Sequence, residues 1–131
     1  MRPLRTAVVA AAALCALAPA ATAVADSHPT PQRGFLLTVS GAENTWIRGV
    51  SLHCSPKAGG GHPDAQAACD DITKARGDFG SLPGDPHACT KQYDPVTATA
   101  SGTWRGRTVS WTKTFGNACE LDAAAGPVFR F

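Results

Sequence analysis

Four cysteines in about a hundred residues, at Cys54, Cys69, Cys89 and Cys119, constrain the fold of this chain more than any other feature. A fifth, Cys15, lies inside a stretch that reads as an export signal. Arg2 and Arg5 form a positive start, Thr6 to Leu17 is almost unbroken apolar sequence, and Ala23-Val24-Ala25 fits the A-x-A pattern of signal-peptidase sites. A cut after Ala25 is expected, with residues 1–25 as signal and residues 26–131 as one secreted, extracellular domain. The apolar run is too short for a membrane span of about 20 residues, and no later segment qualifies. Without the signal the cysteine count is even, and an even count in a small exported chain reads as disulfides. Three connectivities are open. We take the sequential one, in which each closed loop stabilises the fold by roughly 3–4 kcal/mol in the chain-entropy treatment.

The remaining 106 residues suffice for one core. Two of the twelve basic residues leave with the signal, so ten basic face ten acidic ones. A net charge near zero offers no electrostatic reason for a nucleic-acid or membrane partner. No close C-x-x-C pair occurs, so neither a metal nor any other cofactor is expected. Enzyme signatures are missing as well: the chain has no G-x-S-x-G, no H-E-x-x-H, no P-loop and no G-x-G-x-x-G. His28, His53, His62 and His87 are scattered and read as solvated or capping residues rather than a catalytic set, and no catalytic residues are assigned.

Along the chain, residues 26–34 read as a loose arm. Phe35 to Val39 is β-prone, and a second strand is expected from about Thr45 to Cys54. Lys57 to Gly61 reads as a flexible loop. Pro63 suits the first position of a helix, Asp64 favours its positive end, and Ala65, Ala68, Cys69, Ile72 and Ala75 recur at helical spacing up to a stop at Gly77. Asp78 to Asp94 reads as a long loop. Val96 to Trp104 and Thr108 to Phe115 each alternate apolar with hydroxyl residues around an Arg105-Gly106 turn, which predicts a β-hairpin. A short helix is expected over Cys119 to Ala125 and a last strand over Val128 to Phe131. The class is α+β, an antiparallel sheet with one main helix packed on it.

One segment invites a functional reading. In Cys89-Thr90-Lys91-Gln92-Tyr93-Asp94-Pro95 a disulfide pins one end and Pro95 fixes φ at the other. Between them stands a long basic side chain on a short, extended stretch. A trypsin-like protease has a pocket acid that such a lysine can reach. A pre-ordered loop also avoids the ordering cost that a free peptide incurs on binding. An ordinary surface loop beside a structural disulfide fits these seven residues equally well.

Further motifs join that segment in order: Leu37-Thr38-Val39, Leu52-His53-Cys54-Ser55-Pro56, Gly61-His62-Pro63, Ala67-Ala68-Cys69, Tyr93-Asp94-Pro95-Val96, Gly102-Thr103-Trp104, Asn117-Ala118-Cys119-Glu120 and Val128-Phe129-Arg130-Phe131. In register with four cysteines, they resemble the Streptomyces subtilisin inhibitor family over essentially all of residues 26–131. The resemblance implies a five-stranded antiparallel sheet with one main and one short helix, and disulfides Cys54–Cys69 and Cys89–Cys119. It implies a reactive bond Lys91–Gln92, with Cys89, Thr90 and Tyr93 in the protease-contact loop. It implies a substrate-like inhibitor of trypsin-like and subtilisin-like serine proteases, and a homodimer with Leu36 at the contact. The best-known member carries Pro-Met where this chain has Thr90-Lys91, a change that moves preference toward trypsin-like enzymes. The rival reading is a secreted binding module for another partner, such as a transglutaminase or a cell-wall component.

Overall fold

A computed structural model describes residue 20, residues 22–25 and residues 33–131. Most of the expected signal and most of the expected arm lie outside the described residues. The central strand β1 (Gly34–Gly41) pairs with β2 (Ile47–His53) on one side and β4 (Val96–Trp104) on the other. A two-residue β3 (Gly59–Gly60) extends the β2 edge, and β5 (Arg107–Phe115) closes the other. The order is β3-β2-β1-β4-β5, antiparallel throughout.

Alternation assigns the two faces. Phe35, Leu37 and Val39 of β1, Val96, Ala98 and Ala100 of β4, and Leu52 of β2 are buried on one face. Over them lie α1 (Ala65–Lys74) through Ala68, Cys69 and Ile72, and α2 (Ala118–Ala125) through Leu121 and Ala125. The opposite face is open and rich in hydroxyls; Thr38 pairs with Thr99 and Thr97 with Thr114 there. Leu36 and Ile47 project from that face 51% and 61% exposed. Both disulfides are sequential, Cys54–Cys69 and Cys89–Cys119. The first joins the end of β2 to the buried face of α1.

Four local expectations change. Val128 to Phe131 is not a strand: Gly126–Phe129 forms a 3-10 turn with Pro127 at its start, and consecutive Val128 and Phe129 are both buried. A strand on one sheet face could not bury two successive side chains in the same core. The fifth strand is instead Gly59–Gly60, inside the stretch read as a flexible loop. Gly60 has φ +107, and a Cβ there would meet Ser51 O at 2.5 Å. β2 begins at Ile47, because Ala42–Asn44 forms a 3-10 turn and Gly41 N donates to Trp46 O at 3.0 Å. The helix start shifts too: Asp64 is the cap, accepting from Ala67 N at 3.3 Å, and Pro63 precedes it. His62, for its part, is a capping histidine, as one of the two readings had it. It is buried, its Nδ1 accepts from Asp64 N, and its Nε2 donates to Val128 O at 3.0 Å. That ring therefore ties the start of α1 to the C-terminal turn.

The hairpin follows its alternation closely. Trp104 pairs with Arg107, and Arg105 and Gly106 take φ of 46° and 80°, the left-handed pair of a type I′ turn. Arg107 Nη2 donates to Arg76 O at 3.0 Å, while Arg105 lies over the Trp104 ring.

Candidate functional site

The segment from Leu82 to Pro95 has no regular secondary structure, yet its backbone is tied down at intervals. Asp85 N donates to Ala123 O at 3.0 Å, and a Cβ on Gly84 (φ +66) would meet Ala123 O at 2.5 Å. Only glycine lets the loop lie this close to the end of α2. Cys89 is then bonded to Cys119 in the first turn of α2, and Asp94 N donates to Gly116 O at 2.9 Å. Between those two ties the chain bulges outward. Thr90, Lys91, Gln92 and Tyr93 are all exposed, the Lys91 side chain 93% and Tyr93 81%.

One buried residue organises this bulge. Asn117 is the N-cap of α2, its Oδ1 accepting from Glu120 N at 2.9 Å. Its Nδ2 donates to Thr90 O at 3.1 Å and to Gln92 O at 2.9 Å. The amide thus grips the backbone on both sides of the Lys91–Gln92 peptide bond. Asn117 carried no role in the sequence reading. Its signal was there, since Asn-x-x-Glu before an apolar run is an N-cap pattern. Glu120 sits at the matching position, and its Oε2 accepts from Gly116 N at 3.1 Å.

Charge around the loop is arranged in a chain. Lys91 Nζ lies 3.6 Å from Glu120 Oε1, a surface pair that restrains the lysine little. Behind the disulfide, His87 Nε2 donates to Asp122 Oδ2 at 2.9 Å, and Arg130 bridges Asp122 and Asp85. Donation from Arg130 is the main cause that holds the Asp122 carboxyl down at about 2. The hydrogen bond to Asp122 raises the His87 imidazole above its ordinary value, helped by the Ala88 carbonyl. Cys89, Thr90, Lys91, Gln92 and Tyr93 are therefore together on one loop, whereas Leu36 lies on the open sheet face. Among the described histidines, His53, His62 and His87, only His87 lies against this loop's disulfide.

The family model described as subtilisin inhibitor-like matches residues 31–117. The chain belongs to the subtilisin inhibitor-like family. Among its relatives is subtilisin inhibitor-like protein 5 of Streptomyces fradiae, 46% identical over 102 residues, covering 74% of this chain and 95% of that protein. Another is the transglutaminase-activating metalloprotease inhibitor of Streptomyces mobaraensis, 44% identical over 86 residues, 64% of this chain and 58% of the relative. A solved structure of Streptomyces caespitosus sermetstatin in complex with Bacillus licheniformis subtilisin superposes with a TM-score of 0.63 at 34% identity, covering 75% of this chain and 97% of sermetstatin. The family is one of protease inhibitors, not of enzymes, and the chain is a subtilisin inhibitor-like protease inhibitor.

Proposed function

We propose that the protein is a secreted, substrate-like inhibitor of subtilisin-type and trypsin-type serine proteases, with Lys91–Gln92 as its reactive bond. The observation that carries this reading is the double grip of Asn117 on Thr90 O and Gln92 O. The loop enters the protease cleft as a substrate does, with Lys91 in the primary pocket and its carbonyl in the oxyanion hole. Attack by the catalytic serine gives an acyl-enzyme on Lys91 and a free amine on Gln92. Asn117 holds the Gln92 side, and the Cys89–Cys119 disulfide holds the Lys91 side through Cys89 and Thr90. The amine therefore stays beside the acyl carbon. Return of that amine is effectively intramolecular and outruns attack by water. A rigid loop also meets the protease without first being ordered, which favours tight binding over an interface of roughly 1,600 Å² in total.

The signal-like pattern at residues 1–25 supports export, and the two disulfides suit an oxidising extracellular medium. Assembly into a two-fold homodimer through the open sheet face is part of the same proposal. Exposed Leu36 and Ile47 on that face, with Gly49 leaving space beside Leu36, support it. Titrating active subtilisin and trypsin with the protein tests the inhibitory reading. Stoichiometric loss of both activities is the expected result, and full activity of both at excess inhibitor contradicts it. A second reading, a partner that is not a serine protease, is favoured by the relative named as a metalloprotease inhibitor. A metalloprotease added to the same titration separates the two.

A further inference from the structure

Behind the loop, three groups that ligate metals converge. His87 Nδ1 lies 3.7 Å from Cys89 Sγ and 3.7 Å from Cys119 Sγ, and all three atoms fall within 4.8 Å of one another. In a tetrahedral zinc site, with nitrogen at about 2.0–2.1 Å and sulfur at about 2.3 Å, nitrogen and sulfur ligands stand roughly 3.5 Å apart. Both nitrogen–sulfur separations are thus already those of a zinc site. Only the two sulfurs must part, and breaking their bond frees them to do so.

The ring is also presented as a ligand. Nε2 carries the hydrogen donated to Asp122 Oδ2, so Nδ1 is the nitrogen that faces the sulfurs. It also lies 3.4 Å from Ala88 O, to which the charged ring donates, and a metal takes that position once the Nδ1 proton leaves. Asp122 is itself fixed by Arg130, so the carboxylate–imidazole pair has the form that orients metal-binding histidines. The backbone on either side is anchored, by Asp85 N on Ala123 O before His87 and by α2 around Cys119.

We infer that reduction of the Cys89–Cys119 disulfide unmasks a Zn²⁺ site made by Cys89, Cys119 and His87 Nδ1, with water as the fourth ligand. A dithiol reductant supplies two electrons and two protons and leaves as a cyclic disulfide, so both protein sulfurs become thiols. Zn²⁺ then displaces one proton from each thiol, and the Nδ1 proton where the ring is charged, and is held by two thiolates and one neutral imidazole. Metal and oxidant compete for the same sulfurs, and the metal re-closes the loop that the disulfide had closed. The inference is independent of which bond a protease attacks.

Cobalt(II) and zinc(II) salts alone are the probes. Protein reduced with a water-soluble phosphine and kept free of oxygen is titrated with Co²⁺, then with Zn²⁺. The expected result is one tetrahedral cobalt spectrum per chain, with thiolate-to-cobalt absorption that Zn²⁺ abolishes. His87→Ala should lose the tetrahedral bands, and Asp122→Asn should bind about 10–100-fold more weakly. The double change Cys89→Ser with Cys119→Ser excludes the other disulfide as the source and should show no such spectrum. Reduced wild-type protein without thiolate-to-cobalt absorption overturns the inference. So does an unchanged spectrum in His87→Ala or in the double serine variant.

Discussion

Replacing Asn117 by Asp keeps the oxygen that caps α2 but removes both N–H donors to Thr90 O and Gln92 O. Asp and Asn cap helices about equally well. Asn117→Asp should therefore unfold in urea close to the wild-type midpoint, while the loop loses two hydrogen bonds of about 1 kcal/mol each. Under incubation with subtilisin it should behave as a slow substrate, cut between Lys91 and Gln92; a variant that stays intact and fully inhibitory removes Asn117 from the mechanism. Lys91 tests the pocket. Lys91→Glu sets a carboxylate against the acid of a trypsin-type pocket, a like-charge contact costing several kcal/mol, so trypsin inhibition should fall by more than about a hundredfold. Subtilisin inhibition should fall less, and equal trypsin inhibition by the variant means that another residue enters the pocket. At this scale the sequence exposed Lys91 because a cysteine and a proline bracket it. Asn117 stayed unassigned because its partners lie 25 and 27 positions away, a distance no local pattern spans.

The loop and α2 are joined by the ladder His87–Asp122–Arg130–Asp85, whose pH behaviour follows from two opposite shifts. His87 is raised, so its contribution is fully present below about pH 6.5 and is lost as pH climbs through the raised value. Asp122 is depressed to about 2, so its contribution is present above about pH 4 and is lost as pH falls toward that value. Both groups are charged between those limits. His87→Ala should thus lower the urea midpoint more at about pH 5 than at about pH 8, and an equal loss at both contradicts the pairing. Elements with strong alternation were legible: β4 and β5 carry Val96, Ala98 and Ala100 inward and their threonines outward, as their pattern requires. β3 was not, since two glycines offer no side chains to alternate and pair through backbone alone. The C-terminal turn was misread because its apolar Val128 and Phe129 look β-prone, while Gly126 and Pro127 set a turn that buries both against the helices.

For the whole molecule, the cysteines and the family motifs made most of the fold readable, because two cross-links and one helix leave a small sheet few arrangements. Assembly was less readable, since one exposed leucine is common on any surface. Leu36→Asp, which sets like charges face to face across the proposed two-fold axis, should give a monomer by light scattering at micromolar concentration with inhibition per chain unchanged. A wild-type monomer at that concentration contradicts the dimer. The reactive bond itself is tested most directly by mass spectrometry of the inhibitor after long incubation with catalytic amounts of subtilisin. A single cut between Lys91 and Gln92 should appear, its two parts still joined by Cys89–Cys119, and should approach a constant ratio of cut to intact chain. Purified cut inhibitor, returned to the enzyme, should regain the intact mass as the bond is remade. Cleavage at any other bond, or progressive degradation with no resynthesis, would contradict a substrate-like loop held closed at Lys91–Gln92.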